Sequence, residues 1–306
     1  MLYSWDRLNK IGPIKNNRLS VQIDYIQQQM KAVDKKTTLV LSIDTKAFIV
    51  LGRLKHDNGV LMCSSNGKVF KVYDHDFPMF MNEIYPDGTS LVGSERLKER
   101  AVLHPVGVYC PFDNTGYVAL VLGKDTAESM ANLIRTVINI KRESMPDLKE
   151  VLIMADGGGA NMANGILWTQ ALLSLTEKTG IAARIMHFPA GNSRHNPIER
   201  ALWSYCTMHC KGKPFLDIEH VVRLFNETTT RTTNPLRVTC WFDQKKYKTL
   251  AEKKADGESV LTRAELDTMA EGRIYHPFDD STNMYKWNYT IYPPVKRANV
   301  DLSAAS

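Results

Sequence analysis

Apolar residues recur at steps of three and four in several stretches of the chain. In residues 18–34 these positions are Leu19, Ile23, Ile26, Met30 and Val33. This spacing predicts an amphipathic helix with one apolar stripe. The same period predicts further helices in "KDTAESMANLIRTVINIKR", "ILWTQALLSLTEKTG", "NPIERALWSYCTMHCKG" and "DIEHVVRLFNETTT".

Short apolar runs lie between these helices. "TLVLSIDTKAFIVLGRL" predicts one or two strands, and "PVGVYCPFDNTGYVALVLG" predicts an antiparallel hairpin turning at Asp113–Gly116. "VLIMADGGG" and "IAARIMHFP" are apolar enough to predict strands covered on both faces. The order of elements predicts an α/β fold, a mixed sheet flanked by helices whose last strands run parallel to the first.

Three regions follow from this pattern. Residues 1–37 form an N-terminal helical segment, residues 38–228 form the α/β domain, and residues 229–306 form a basic C-terminal extension. Within the domain, residues 55–104 are polar and rich in Asp, Gly and Asn, which predicts an insertion after the first strand.

Composition narrows the class of protein. No run approaches the roughly 18 apolar residues of a membrane span, and the start of the chain lacks a signal peptide, so we expect a cytoplasmic protein with no membrane partner. Five scattered cysteines favour reduced thiols over a disulfide framework. The net charge of +6 is compatible with a polyanionic partner but does not require one.

Three carboxylates carry the candidate chemistry. Asp44 lies in an apolar strand, where an unpaired charge is costly unless something binds it. Asp156 ends another apolar strand, and ligands of open α/β sheets bind at such carboxyl ends. If the two strands are parallel neighbours, the two carboxylates meet and form half of a Mg²⁺ site. Glu199, near the start of a predicted helix, is the candidate for the third ligand.

Each carboxylate also has a structural explanation. Asn196 and Pro197 are typical of a helix start, which puts Glu199 where a capping-box Glu reaches back to the backbone. Asp44 is also placed to pair with Lys46, and Asp156 to cap the next helix. Each explanation is common by itself, but their joint occurrence is much less so.

Glu128 is a further acidic residue on a predicted helix. Its spacing from Asp125 favours a capping box at the start of that helix. The alternative is that Glu128 supplies a fourth acidic group beside the other three carboxylates.

The motifs "IDTK", "LIMADGGGAN" and "HFPAGNSRHNPIERALW" occur in this order along the chain. Together they resemble the DDE transposases of bacterial insertion sequences, in particular the ISAzo-thirteen family, and the last motif is also similar to the mariner superfamily. The resemblance covers about residues 18 to 295. It implies a ribonuclease H-like fold with a mixed five-stranded sheet, in which the catalytic Asp, Asp and Glu correspond to Asp44, Asp156 and Glu199.

The resemblance also implies an activity. Two Mg²⁺ ions, with Mn²⁺ as a substitute, are expected to serve DNA strand cleavage and then strand transfer by the freed 3′-hydroxyl. The expected partners are transposon ends and target DNA, with a homo-oligomer assembled on the DNA. Transposases of this kind usually carry a helix-turn-helix region, whereas residues 1–37 leave room for one helix.

Basic residues give candidate DNA contacts. Lys46, Arg194 and His195 lie near the carboxylates in sequence, and the last two precede a helix N-terminus, where anions bind. A second group is interleaved with Trp241 and Tyr247, which suits a DNA backbone. It contains Arg231, Arg237, Lys245 and Lys246. A solvated basic face is the alternative for this group.

Two rival functions remain open on sequence alone. One is a ribonuclease H-fold nuclease that cuts without strand transfer, and the other is a domesticated or truncated DNA-binding derivative. The intact set of carboxylates argues against the second. A phosphatase-like hydrolase is disfavoured because Lys46 stands where that chemistry needs a second Asp.

Overall fold

The protein is described by a computed structural model covering residues 17–47, 49–50, 59–63, 69–73, 102–158, 165–189, 191–211, 213, 215 and 217–294. The helices are Asn17–Ala32 (α1), Ala127–Arg142 (α2), Ile166–Thr179 (α3), Ser204–Cys210 (α4), Ile218–Asn226 (α5), Leu250–Ala255 (α6), Arg263–Met269 (α7) and Asn283–Trp287 (α8). The strands are Thr38–Thr45 (β1), Ile49–Val50 (β2), Gly59–Cys63 (β3), Val69–Tyr73 (β4), Val102–Cys110 (β5), Thr115–Leu122 (β6), Glu150–Asp156 (β7), Ala182–Phe188 (β8), Arg237–Asp243 (β9), Ile274–Tyr275 (β10) and Asn288–Ile291 (β11). A 3₁₀ turn spans Ser193–His195, and a π-helical turn spans Glu199–Trp203.

The main sheet is mixed, as predicted. Its strands follow the order β10-β11-β8-β7-β1-β5-β6-β9, and the short β2 pairs with β5. Strands β7 and β8 run parallel to β1, whereas β5 is antiparallel to both β1 and β6. The five central strands, β8 to β6, form a mixed sheet of the predicted size.

Among the described residues the sheet is wider than the five strands predicted. Strand β9 pairs in parallel with β6, and β11 pairs antiparallel with β8, so the segment after residue 228 extends both ends of the sheet. The physical reason is that β6 and β8 would otherwise leave rows of backbone N–H and C=O groups unpaired. The basic segment therefore contributes strands to the main sheet.

Helices cover both faces of the sheet. Alternate residues of β1 point to opposite faces. Leu39, Leu41 and Ile43 join the core beneath α2 and α3, whereas Val40 packs with Ile26 of α1 on the other face. Ser42 and Asp44 share the phase of Val40. The Asp44 side chain is therefore on the face that also carries the π-helical turn.

One edge of the sheet gathers several strand ends. Because β1, β6, β7, β8 and β9 all run in the same direction, their carboxyl ends lie along this edge. We call it the carboxyl edge. It contains Asp44 in β1, Asp156 at the end of β7, and Asp243 at the end of β9.

The insertion predicted for residues 55–104 falls mostly outside the described residues. Within it, β3 and β4 form a separate antiparallel pair, and β5 begins at Val102. In the described part of the chain, no helix combines the length and the hydropathy needed to cross a membrane.

Candidate active site

The two aspartates lie side by side at the carboxyl edge. Strands β1 and β7 are parallel, and their register pairs Ile43 with Ala155, so the next residues are Asp44 and Asp156. Neighbouring strands are about 4.8 Å apart, which brings the two carboxylates within reach of one ion. Asp44 is buried, with 9% of its surface exposed, and Asp156 is partly buried.

The segment before Glu199 is tied directly to β1. Asn196, which is 1% exposed, donates from Nδ2 to the carbonyl oxygen of Ile43 at 2.9 Å. The Ser42 hydroxyl donates to Asn196 Oδ1 and accepts the backbone N–H of Ile198 at 2.9 Å. These bonds fix the start of the turn carrying Glu199 against the strand carrying Asp44. We call Ser42 and Asn196 the clamp.

A second link runs through the end of the same turn. The backbone N–H of Ser204 donates to the carbonyl of Glu199, five residues back, so the turn is wider than an α-helical one. Its last residue, Trp203, donates from the indole Nε1 to Asp44 Oδ2 at 3.1 Å. Single π-type turns of this kind are frequent at functional sites.

Burial and charge both favour protonation of the aspartates. Burial, followed by repulsion from Asp156 and Glu199, raises the pKa of Asp44 to about 8. Burial, followed by repulsion from Glu199, also raises the pKa of Asp156. Glu199 is therefore close enough to repel both aspartates.

This donor set fits a divalent cation. Carboxylate oxygens are the ligands of Mg²⁺ and Mn²⁺, and a cation would offset the mutual repulsion of the three side chains. Within the described residues, no three His, Cys, Asp or Glu side chains stand ready as a preformed set of metal ligands.

The sequence also allowed a purely structural role for each carboxylate, as a helix cap or as an ion-pair partner. Among the described residues, the contacts that these roles require are not formed. The backbone N–H of Asn196 donates to Ser193, so Glu199 does not accept it as a capping box requires. Lys46 donates to the Thr207 hydroxyl at 2.7 Å and does not pair with Asp44. Helix α3 has Gly165 at its N-cap, not Asp156.

Two other basic candidates lie in the 3₁₀ turn beside the clamp. Arg194 is exposed, and His195 is partly buried. The His195 Nε2 atom is buried without a hydrogen-bond partner among the described residues. Burial, together with the nearby Arg194 and Arg200, lowers the pKa of His195, which favours the neutral ring.

The structure separates the second basic group into two pairs. Arg237 begins β9 and donates to the carbonyl of Asp113 in the β5–β6 turn, at the edge opposite the carboxylates. Arg231 precedes β9 and is exposed. Lys245 and Lys246 follow the end of β9, at the carboxyl edge. A strand as long as β9 puts about 20 Å between the two pairs.

Lys245 already has a partner. Its Nζ donates to Glu128 at 2.7 Å, and Lys253 lies 3.5 Å from the same carboxylate. Both lysines lower the pKa of Glu128 against the effect of burial. The capping box of α2 is formed by Thr126 and Ser129, so the capping box predicted for Glu128 is wrong. The structure places Glu128 in an ion-pair network with the basic segment.

Sequence reasoning missed several residues around the carboxylates. Ser42 precedes Asp44 by two residues in β1, and this alternation could have predicted that both side chains lie on the same face of the sheet. Trp203 follows Glu199 by four residues in the same predicted helix, and this spacing alone does not indicate a contact with β1. His187, fully buried, lies with Nδ1 3.2 Å from the carbonyl oxygen of Asp156. No local pattern indicated that contact.

A comparison with solved structures found a similar chain in the crystal structure of the Mos1 mariner paired end complex with Mn. The two chains are 12% identical, with a TM-score of 0.42. The similarity covers 75% of this chain and 63% of the Mos1 chain, so this chain spans less than two thirds of the length of Mos1. A comparison with curated proteins gave no match.

A family model gives the assignment. The model described as the Rhodopirellula transposase DDE domain matches residues 3–293. This match confirms the resemblance to DDE transposases that the motifs predicted. Because it extends over nearly the whole sequence, the chain belongs to the Rhodopirellula transposase DDE domain family.

Proposed function

We propose that this chain is the catalytic region of a DNA transposase that cuts DNA at the ends of an insertion sequence and joins the freed ends to target DNA. The observation that supports the proposal is that Asp44 and Asp156 end neighbouring parallel strands and that Glu199 is close enough to repel both, in a chain of the DDE family. Among the described residues, these carboxylates form no capping box and no salt bridge that would give them a purely structural role.

The proposed cofactor is a pair of Mg²⁺ ions, with Mn²⁺ as a substitute. DDE transposases are metal-dependent. Asp44, Asp156 and Glu199 would hold the ions, which supply activation of the attacking hydroxyl and stabilisation of the leaving oxygen. The clamp and Trp203 both connect β1 to the π-helical turn that begins at Glu199, which we call the glutamate turn.

Basic residues of the carboxyl edge would hold the DNA backbone. Lys46 follows Asp44 by two residues, and Arg194 and His195 lie in the 3₁₀ turn that precedes Asn196 of the clamp. Lys245 and Lys246 lie three strands from β1, about 15 Å along the same edge. Arg231 and Arg237 are at the opposite edge and are not part of this proposed DNA path.

The proposal also covers the partners, the assembly, the location and the divisions of the chain. Transposon ends and target DNA are the partners, a homo-oligomer forms on the DNA, and the protein works in the cytoplasm on chromosomal DNA. Residues 1–37, 38–228 and 229–306 remain the proposed divisions of the chain, with the strands of the last region forming part of the catalytic sheet.

The test is cleavage of duplex DNA carrying the terminal inverted repeats that flank the gene. Glu199→Gln should abolish Mg²⁺- or Mn²⁺-dependent cleavage, because it removes a negative ligand while keeping the size of the side chain. The matched control is Glu143→Gln, which should keep cleavage because Glu143 is exposed at the end of α2, opposite the carboxyl edge. Full cleavage by Glu199→Gln would contradict the proposed site.

A strand-transfer assay separates the transposase from a nuclease of the same fold. Pre-cut ends with a free 3′-hydroxyl are incubated with a supercoiled target plasmid. Joined products are expected for the wild-type protein and not for Glu199→Gln. Cleavage without joining would reassign the chain to the nuclease class.

A further inference from the structure

The indole of Trp203 has the contacts of a positioning residue for the candidate metal site. Trp203 is 2% exposed, and its Nε1–H donates to Asp44 Oδ2 at 3.1 Å. An indole is a donor only, and it has a single N–H. The bond therefore satisfies Trp203 completely and holds one oxygen of Asp44 at a fixed point.

A gap in the neighbouring strand admits the indole. Gly107 of β5 is the antiparallel partner of Asp44. A Cβ atom at Gly107 would overlap Cζ2 and Cη2 of Trp203 and would lie 3.1 Å from Ile198 Cδ1. Any larger residue at 107 would displace the ring. The glycine beside Asp44 therefore allows Trp203 to reach the carboxylate.

The same side chain relates the first and third carboxylates. Glu199 and Trp203 are the two ends of one π-helical turn, closed by the bond from the Ser204 N–H to the Glu199 carbonyl. Anchoring Trp203 on Asp44 therefore also fixes how far the backbone of Glu199 lies from β1. The clamp fixes the beginning of this segment, and Trp203 fixes its end.

We propose that Trp203 is a positioning residue that holds the Asp44 carboxylate and the glutamate turn in the relative orientation needed to bind a divalent metal ion. The inference rests on the proposed function, because it takes the three carboxylates as the metal ligands. Partners that orient metal ligands through hydrogen bonds change metal affinity or activity by about 10- to 100-fold when they are removed.

The test measures binding of Mn²⁺ alone to the full, metal-free chain, using the electron paramagnetic resonance signal of the free ion. Trp203→Phe removes the N–H and keeps an aromatic ring, so we expect Mn²⁺ affinity to fall by about 10- to 100-fold. Gly107→Ala should give a similar loss with the indole still present. Trp241→Phe, on β9 at the end of the sheet, is the matched control and should bind like the wild type.

A second replacement separates positioning from packing. Incorporating 3-benzothienylalanine at position 203 keeps the shape of the side chain and exchanges the N–H for sulfur. Its far-ultraviolet circular dichroism and urea midpoint show whether it folds like the wild type. A purely structural role predicts unchanged Mn²⁺ affinity for this protein, whereas a positioning role predicts the loss seen with Trp203→Phe.

The outcomes are distinguishable. Weaker Mn²⁺ binding in the Phe and benzothienyl proteins, but not in Trp241→Phe, supports the inference. Wild-type affinity in the folded benzothienyl protein overturns it and leaves the proposed function standing. If Asp44→Asn binds Mn²⁺ as tightly as the wild type, the carboxylates are not the metal site, and the proposed function and the inference fall together.

Discussion

At the scale of single residues, Asp44 is the side chain of the site that most lowers the stability of the folded, metal-free protein. It is buried in a strand next to Asp156 and near Glu199, and one indole N–H is the side-chain donor that the structure gives it. The raised pKa values of Asp44 and Asp156 mean that both carboxylates lower the stability of the metal-free protein at neutral pH. Such a cost is typical of a site built for a bound cation.

Asp44→Asn should stabilise the metal-free protein. The folded pKa of Asp44 is raised to about 8, so its cost is absent below about pH 4 and grows as the pH rises toward 8. The thermal midpoint of the wild type should therefore fall over this range. The thermal midpoint of the Asn variant should fall less over this range, so that at pH 8 the variant melts at least a few degrees above the wild type. About 1 kcal/mol of stability corresponds to roughly 2–4 °C in a protein of this size.

Differential scanning fluorimetry in a metal chelator measures this effect. Asp147→Asn is the control, because Asp147 is exposed in the turn before β7. Asp44→Asn melting at or below the wild-type temperature at pH 8 would mean that Asp44 is not repelled in the folded state.

At the scale of elements, the clamp joins a loop to a strand through buried polar groups. Ser42 and Asn196 are both nearly inaccessible to solvent, and their side chains bond to each other and to backbone groups of β1 and the glutamate turn. Buried polar groups that are fully hydrogen-bonded favour one arrangement of the elements, because any other leaves them unpaired.

Asn196→Ala and Ser42→Ala should each destabilise the protein by about 1–3 kcal/mol, because each leaves a buried partner without its hydrogen bond. Urea denaturation measures the free energy of unfolding. The double variant should lose less than the sum of the single losses, since both side chains serve one network. Additive losses would show that the two residues act independently.

Elements with an internal pattern were predictable from sequence, whereas those defined by a distant partner were not. Strands β1 and β7 are continuous apolar runs and are recognisable alone. In β9, the buried Val238 and Cys240 alternate with exposed residues of a basic segment, and pairing with β6 makes it a strand.

The residues of the candidate site were likewise predictable from sequence only in part. The carboxylates Asp44, Asp156 and Glu199 were predicted from strand ends and motifs. The contact of Trp203 with Asp44 depends on Gly107, which stands opposite Asp44 only through the register of β1 with β5. Such a register joins residues more than sixty positions apart, and no local spacing encodes it.

At the scale of the whole molecule, acidic and basic residues occupy different positions along the carboxyl edge. It carries the candidate metal ligands near its middle and Lys245 and Lys246 after its last strand, whereas Arg231 and Arg237 are at or near the opposite edge. DNA that reaches the carboxylates along this edge would pass the lysines and miss the arginines.

Salt dependence of DNA binding tests this path. Each phosphate that the protein no longer neutralises should reduce the slope of log K against log salt by about 0.9 on duplex DNA. Replacing Lys245 and Lys246 with Ala should flatten the slope, and replacing Arg231 and Arg237 with Ala should leave it unchanged. Fluorescence anisotropy over a salt series gives both slopes. The reverse result would indicate that the DNA binds along the opposite edge of the sheet.

The end of the sheet formed by β8 and β11 also connects distant parts of the chain. Gln22 of α1 and Asn288 of β11 exchange side-chain hydrogen bonds at 2.7 and 3.0 Å, and Gln22 also donates to the carbonyl of His187 in β8. The N-terminal helix, the last strand and the strand beside β7 therefore form one buried polar contact. Removing β11 would break it.

Two truncations test whether the C-terminal region belongs to the catalytic fold. Ending the chain after residue 294 keeps every described strand, and we expect cooperative unfolding close to that of the full chain. Ending it after residue 228 removes β9, β10 and β11, exposes the edges of β6 and β8, and leaves Gln22 without Asn288. Open sheet edges promote association, so the shorter chain should aggregate or lose its cooperative transition. Thermal unfolding and size-exclusion chromatography measure both properties. A shorter chain that stays monomeric and melts like the full protein would show that residues 229–306 are an accessory region.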